Sequence, residues 1–203
     1  MHGLGTKRWA NGDSYTRQWE DGEMHGQGLY TYINGDSYDG QWEQDKMHGL
    51  GTTRWANGDG YTGQWEGGLK HGQGLYTYIN GDSYVGQWEQ DEMHGLGTKR
   101  WANGDGYTGQ WEGGLEHGHG LLTYSNNNSY EGQWEQGKMR GLGTKQWADG
   151  ESYTGQWEED KMHGLGSKRW ADGESYTGQW EGGLKHGQGL YTHSTGGRYE
   201  GLW

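Results

Sequence analysis

Hydrophobic and polar positions in this chain follow two nested spacings. Over short stretches large residues alternate with polar ones. In Tyr61-Thr62-Gly63-Gln64-Trp65, Tyr61, Gly63 and Trp65 fall on one face, and Thr62 and Gln64 on the other. This Tyr-x-Gly-x-Trp pattern then returns every 23 residues, without insertion or loss, from Tyr15 and Trp19 to Tyr199 and Trp203. Alternation by twos predicts a strand, and a fixed spacing of this length predicts a repeat array. Each repeat adds a second alternating stretch, His71–Tyr78 in the example, with Gly72, Gly74, Tyr76 and Tyr78 on one face. A connection of about five residues around Gly67-Gly68 joins the two strands. Asn80-Gly81 leads on to the next repeat as a short hairpin turn in which both residues take positive φ. Helices are excluded by glycine frequency, at roughly 1 kcal/mol per Gly relative to Ala. The expected fold is all-β: an elongated, single-layer antiparallel β-hairpin meander with about two strands per repeat. It forms one array over 1–203, with a half-unit 1–14, eight full repeats over 15–198 and a half-unit 199–203.

Two repeat types alternate. One reads HGLGTTRWANGD from His48, the other HGQGLYTYINGD from His71. The alternation slips once, where Arg140 and His163 both open the first type. Basic residues gather in that type, at Lys7-Arg8, Arg54, Lys99-Arg100, Lys145 and Lys168-Arg169. They form a sparse ladder, expected to pair with the Glu that follows each motif Trp.

Composition changes this picture in two respects. Aliphatic residues are too few for a conventional core, but the chain carries 14 Trp and 15 Tyr, mostly in register. Rings that each bury roughly 150–250 Å² can stabilise a thin sheet, and the 45 Gly let those rings lie flat on neighbouring backbone. The net charge of −12 disfavours nucleic acid and anionic lipid as partners. The absence of Cys excludes a disulfide framework.

The spacing Y-x-G-x-W-x-x-x-x-x-H-G-x-G-x-x-x-x-x-x-x-G resembles the MORN repeat over essentially the whole chain. Segments such as HGQGLYTYINGDSYDGQW also look like those of the radial-spoke-head members of that family. The resemblance implies a β-hairpin rod with an aromatic groove, acting as a scaffold in cytoskeletal, ciliary or flagellar assemblies. A cytoplasmic location with cytoskeletal or axonemal association goes with it. Two residues depart from the pattern: Arg17 at a motif Gly and Arg140 at the motif His. Arg17 is expected either to loosen ring packing in its unit or to turn its contacts outward.

The candidate chemistry is that of binding, not catalysis. Near-identical repeats supply no asymmetric catalytic constellation, so no catalytic residue, cofactor or metal site is expected. The recurrent His residues are expected to cap hairpins and pack beside Trp. The motif rings are expected to form the core. The type-specific rings Trp55, Tyr76, Tyr78, Trp101, Trp147 and Trp170 are expected to line an open groove for a protein partner. Alternatively, that groove stacks a glycan or holds a peptide. The chain begins and ends within a repeat, so either it is an internal segment of a longer array or its ends pair; antiparallel dimerisation through the aromatic groove is a third possibility. In the second case Leu4, Trp9, Tyr199 and Trp203 are the expected contacts of a homo-oligomer or head-to-tail filament.

Overall fold

The computed structural model describes every residue, Met1–Trp203, and contains strands and turns without helices. Contacts divide the chain into two units, Met1–Ala102 and Asn103–Trp203. In the first, nine strands from Gly3–Arg8 to Glu92–Arg100 pair in sequence order as an antiparallel meander. In the second, the nine strands from Gly106–Glu112 to Arg198–Leu202 do the same. Each full repeat supplies two strands, as the alternation predicts.

The two kinds of connection exchange the lengths expected from sequence. Strands Gly60–Glu66 and Leu69–Thr77 are joined by two residues only, Gly67 and Gly68, with φ of 60° and 94°. Positive φ at both positions is the turn whose twist matches a hairpin. Gln44-Asp45, Gln90-Asp91 and Glu159-Asp160 adopt it without glycine. Their aspartates accept the backbone N–H of Met24, Lys70 and Met139 from the preceding repeat, at 2.7–2.9 Å. The Asn-Gly connection is instead a five-residue loop. In Trp9–Asp13, Gly12 N–H donates to Trp9 O (3.0 Å) and only the glycine has positive φ. Asn11 contributes its side chain, which accepts from Asp13 N–H and donates to its carboxylate. Where the chain reads Asn126-Asn127-Asn128, Asn127 takes the glycine's place at φ 67°, a conformation Asn tolerates.

The core is a ladder of motif rings. Tyr15, Tyr38, Tyr61 and Tyr84 are fully or almost fully buried, as are their counterparts from Tyr107 to Tyr176. Each tyrosine meets the Trp of its own repeat edge-on at 4.9–5.1 Å, and in each unit also the Trp of the next repeat at 5.2–5.4 Å. Such edge-to-face pairs add about 0.5–1.5 kcal/mol each beyond burial.

Two glycines admit each tyrosine. A Cβ on Gly40 or Gly51 would fall within 3.0 Å of the Tyr38 ring. The strands also slip register beside the ring: Gly40 faces Gly51, but Gln41 faces His48, leaving Gly49 and Leu50 as extra residues. The groups freed by this bulge find partners. Tyr38 Oη donates to Gln41 O at 2.9 Å and lies 3.3 Å from His48 O, and Leu50 N–H donates to Gln41 Oε1 at 2.8 Å. The indole Nε1–H of Trp42 donates to Gly28 O at 3.0 Å, tying each repeat to the one before it.

Arg17 occupies one of the glycine positions without displacing the ring. Tyr15 remains fully buried and bonded to Gln18 O at 2.9 Å. The cost falls on the backbone, since Arg17 sits at φ 122°, and its guanidinium turns outward to Asp39 at 3.7 Å. Of the two outcomes expected for Arg17, the structure shows the outward one.

Gly74→Ala, which forces a Cβ onto the Tyr61 ring, is expected to destabilise by about 1–3 kcal/mol, read as a lower urea midpoint. Arg17→Gly is expected to stabilise by about 1 kcal/mol by relieving the backbone, which the same measurement checks. Burial pushes Tyr15 and Tyr153 up to about 12, and Tyr38, Tyr61 and Tyr84 further in the same direction. A group whose folded value lies above its unfolded one, near 10, supports the fold below pH 10. That support is lost as pH rises toward 12 and beyond. Phenolate absorbance at 295 nm is therefore expected to rise mainly above pH 11, together with loss of near-ultraviolet circular dichroism.

Candidate functional site

Above the buried ladder, on the same face, lies a second tier of half-buried rings. All six groove candidates belong to it: Trp55, Tyr76, Tyr78, Trp101, Trp147 and Trp170. Tyr76 brings three together, stacking on Trp55 at 5.3 Å and meeting Tyr78 at 4.4 Å, with Trp88 of the core 6.0 Å beneath. Trp9, Tyr30 and Tyr32 repeat the arrangement at 5.3 and 4.5 Å. Trp147 and Trp170 are bridged by the Lys168 ammonium, 4.7 and 5.4 Å from their rings. Trp101 carries Lys99 at 5.2 Å.

The lysines of the basic ladder depart from expectation. Their ammonium groups rest over groove rings instead of pairing with the Glu after each Trp. Lys7 lies 4.9 Å from Trp9, and Lys145 lies 5.5 Å from Trp147. The reason is the strand period: each lysine stands two residues before its Trp and shares its face. The Glu residues point the other way and pair with the histidines, as Glu66 does with His71 at 3.4 Å. Arg140 keeps this pairing with Glu135 where His is missing. The histidine side chains therefore stand on the outer face against these carboxylates, while backbone carbonyls of several of them accept from the tyrosines.

Two lysines went unnoticed in the sequence. Lys70 and Lys185 stand where most repeats carry Met, opposite Trp65 and Trp180 in the register. Lys185 sits among four rings, 4.1 Å from Tyr191, 4.4 Å from Trp203 and 4.8 Å from Trp170, with Tyr176 at 5.3 Å. Burial lowers its pKa, and burial does the same to Lys145. A Lys among motif Met residues, directly before the motif His-Gly, was the available signal.

The loop carboxylates bound this face along one edge. Asp59 accepts Ile79 N–H at 2.8 Å and the Tyr76 phenol at 3.1 Å, bonds that hold its carboxyl below the ordinary range. Asp13 does the same for Ile33 and Tyr30, at 2.8 and 3.0 Å. Tyr30 is pushed up to about 12 by burial and by this carboxylate.

Of the terminal candidates, Trp9 and Trp203 belong to these ring tiers, Trp203 meeting Tyr176 at 5.2 Å and Tyr191 at 5.8 Å. Leu4 and Tyr199 are exposed. The outer face also shows leucines that sequence reasoning passed over. Leu50 and Leu96 are 64% and 66% exposed, beyond anything a covered sheet face would show.

The family model described as the MORN repeat matches nine successive segments: 1–14, 18–37, 38–60, 61–83, 84–106, 107–129, 130–152, 153–175 and 176–198. No curated protein sequence matches the chain at a significant level. Among solved structures, the TCP10 domain of CPAP from Danio rerio is similar in fold, at 11% identity and a TM-score of 0.51, covering 96% of this chain and 91% of that one. The TCP domain of SAS-4 (dCPAP) from Drosophila melanogaster, solved with a proline-rich motif of Ana2, matches at 11% identity and a TM-score of 0.42, over 98% and 90% of the two chains. The family match covers nearly all of the chain, segment by segment, and the chain belongs to the MORN repeat family.

Proposed function

We propose that the chain is a non-catalytic scaffold whose ring-lined face binds a segment of a partner protein. The observation that carries this reading is the second tier of rings. The sheet already has a closed core in the Tyr–Trp ladder, and the tier above it remains half-exposed with its lysines and carboxylates interleaved. Exposed Tyr and Trp are enriched at protein-binding surfaces and among the residues that carry most of the binding energy. A peptide fits this face better than a glycan, because ammonium groups already rest on several of the ring faces on which a sugar would stack. Membership of the MORN repeat family supports a cytoskeletal or ciliary setting, in the cytoplasm, for this scaffold.

Tyr78→Ala combined with Trp147→Ala is expected to weaken capture of a cellular partner at least tenfold, with circular dichroism unchanged. Leu50→Ser combined with Leu96→Ser is expected to leave capture intact. Pull-down with quantitative mass spectrometry compares the variants. The opposite pattern would place binding on the outer face and overturn this reading, and saturable binding on a glycan array that the ring variant abolishes would replace it.

A further inference from the structure

One position breaks the ladder of the ring-lined face. Where the first repeat type elsewhere carries Lys7, Lys99, Lys145 and Lys168, it carries Thr53. In the other four cases the lysine ammonium lies 4.9–5.5 Å from the ring of the Trp two residues on. Trp55 has no such lysine in its own strand. The loop carboxylates show the same break. At several of them the residue 17 positions on reaches back, Tyr30 to Asp13 at 3.0 Å, Tyr76 to Asp59 at 3.1 Å and Lys168 to Glu151 at 2.9 Å, whereas after Asp105 that residue is Leu122, which cannot. At Asp36 that residue is Thr53, whose side chain is too short to reach.

The result is a pocket of about 280 Å³ walled by Tyr32, Trp55 and Trp65, with Asp36 and Asp91 at its rim. Thr53 lines it, 5% exposed, and its hydroxyl has no hydrogen-bond partner in the protein. A buried hydroxyl left unpaired costs about 1–3 kcal/mol, and a donor entering the pocket would recover that cost. Lys70 also borders the space, but its ammonium pairs with Asp91 at 3.5 Å and lies nearer Trp88 and Tyr76, at 5.0 and 5.3 Å, than Trp55, at 6.0 Å. Asp36 is left with its Asn34 and Ala56 contacts and no cation.

We propose that this pocket receives a lysine side chain from the partner protein, its methylene stem against Trp55 and its ammonium donating to Asp36 and Thr53 Oγ1. At the four equivalent positions the chain's own lysine lies over the Trp ring, and Lys168 also reaches its loop carboxylate, so a lysine side chain suits these walls. The net charge of −12 favours a basic partner. This inference deepens the reading of the ring-lined face as the binding surface and rests on it. It is tested on the isolated full chain, so its failure leaves that reading standing.

The test titrates the ¹⁵N-labelled protein with n-butylammonium chloride at constant ionic strength and follows the indole N–H resonances. Trp55 and Trp65 are expected to shift saturably, while Trp101 and Trp147, which carry their own lysines, stay in place. In Thr53→Lys the Trp55 shift is expected to fall at least tenfold, and in Asp36→Asn several-fold. Thermal denaturation supplies an independent reading: Thr53→Lys should raise Tm, and Thr53→Met, of similar length without charge, should raise it less. An equal shift with 1-butanol, persistence of the shift in Thr53→Lys, or equal stabilisation by Met would each overturn the proposal.

Discussion

Everything in this fold depends on how a tyrosine ring is laid against backbone. The ring crosses two glycines on adjacent strands, Gly40 and Gly51 for Tyr38, and its hydroxyl enters the bulge beside them. An unsupported bulge would leave backbone groups unpaired, at a cost comparable to lost hydrogen bonds. Here Tyr38 Oη takes the Gln41 carbonyl and Gln41 Oε1 takes Leu50 N–H. Four motif residues, Tyr, Gly, Gln and Gly, are thus parts of one contact. The fixed spacing of these four residues follows from that geometry.

The same contact explains how a sheet without a second layer keeps a core. A single-layer sheet normally exposes both faces, and small cores rarely bury enough area to offset chain entropy. Laying tyrosine flat and standing tryptophan edge-on to it encloses both rings within the thickness of one sheet. Each tryptophan touches the tyrosine of its own repeat and that of the preceding one in its unit, so stability accumulates between neighbours. The motif rings are spent on construction. What remains for recognition is the tier above them, where the repeats are free to differ.

The sequence shows the construction far more clearly than the recognition. Strand positions, the two-strand repeat and the burial of Tyr61 and Trp65 follow from alternation and spacing, because each residue's face is set by its parity. The turn lengths were misread because Asn-Gly and Gly-Gly both permit positive φ. Only the structure reveals that Asn11 spends its side chain on Asp13 and leaves positive φ to Gly12. The lysines were misread for a different reason. Charge suggested pairing with the nearest Glu, but parity places Lys99 and Lys145 on the ring face and the Glu residues on the other. Parity decides because a strand side chain cannot cross its own sheet, and a cation over indole gains about 0.5–2 kcal/mol in place of an exposed ion pair.

Departures from the repeat then separate into two kinds. Arg17 violates the tyrosine contact itself, and the backbone absorbs the violation at φ 122° while the ring stays in place. Arg140 and Asn127 substitute within a role, one keeping the pairing with Glu135 and the other keeping the turn. Thr53 does neither. It leaves Tyr38 and Trp65 undisturbed in the core, yet removes a side chain from the upper tier and leaves a buried hydroxyl without a partner. A change that spares construction and opens a pocket in the recognition tier differs in kind from one that strains the core or preserves a role. Among the rungs of the first repeat type, which otherwise each present a lysine beside the Trp, such a position gives a partner a register: a segment sliding along them meets one that lacks it.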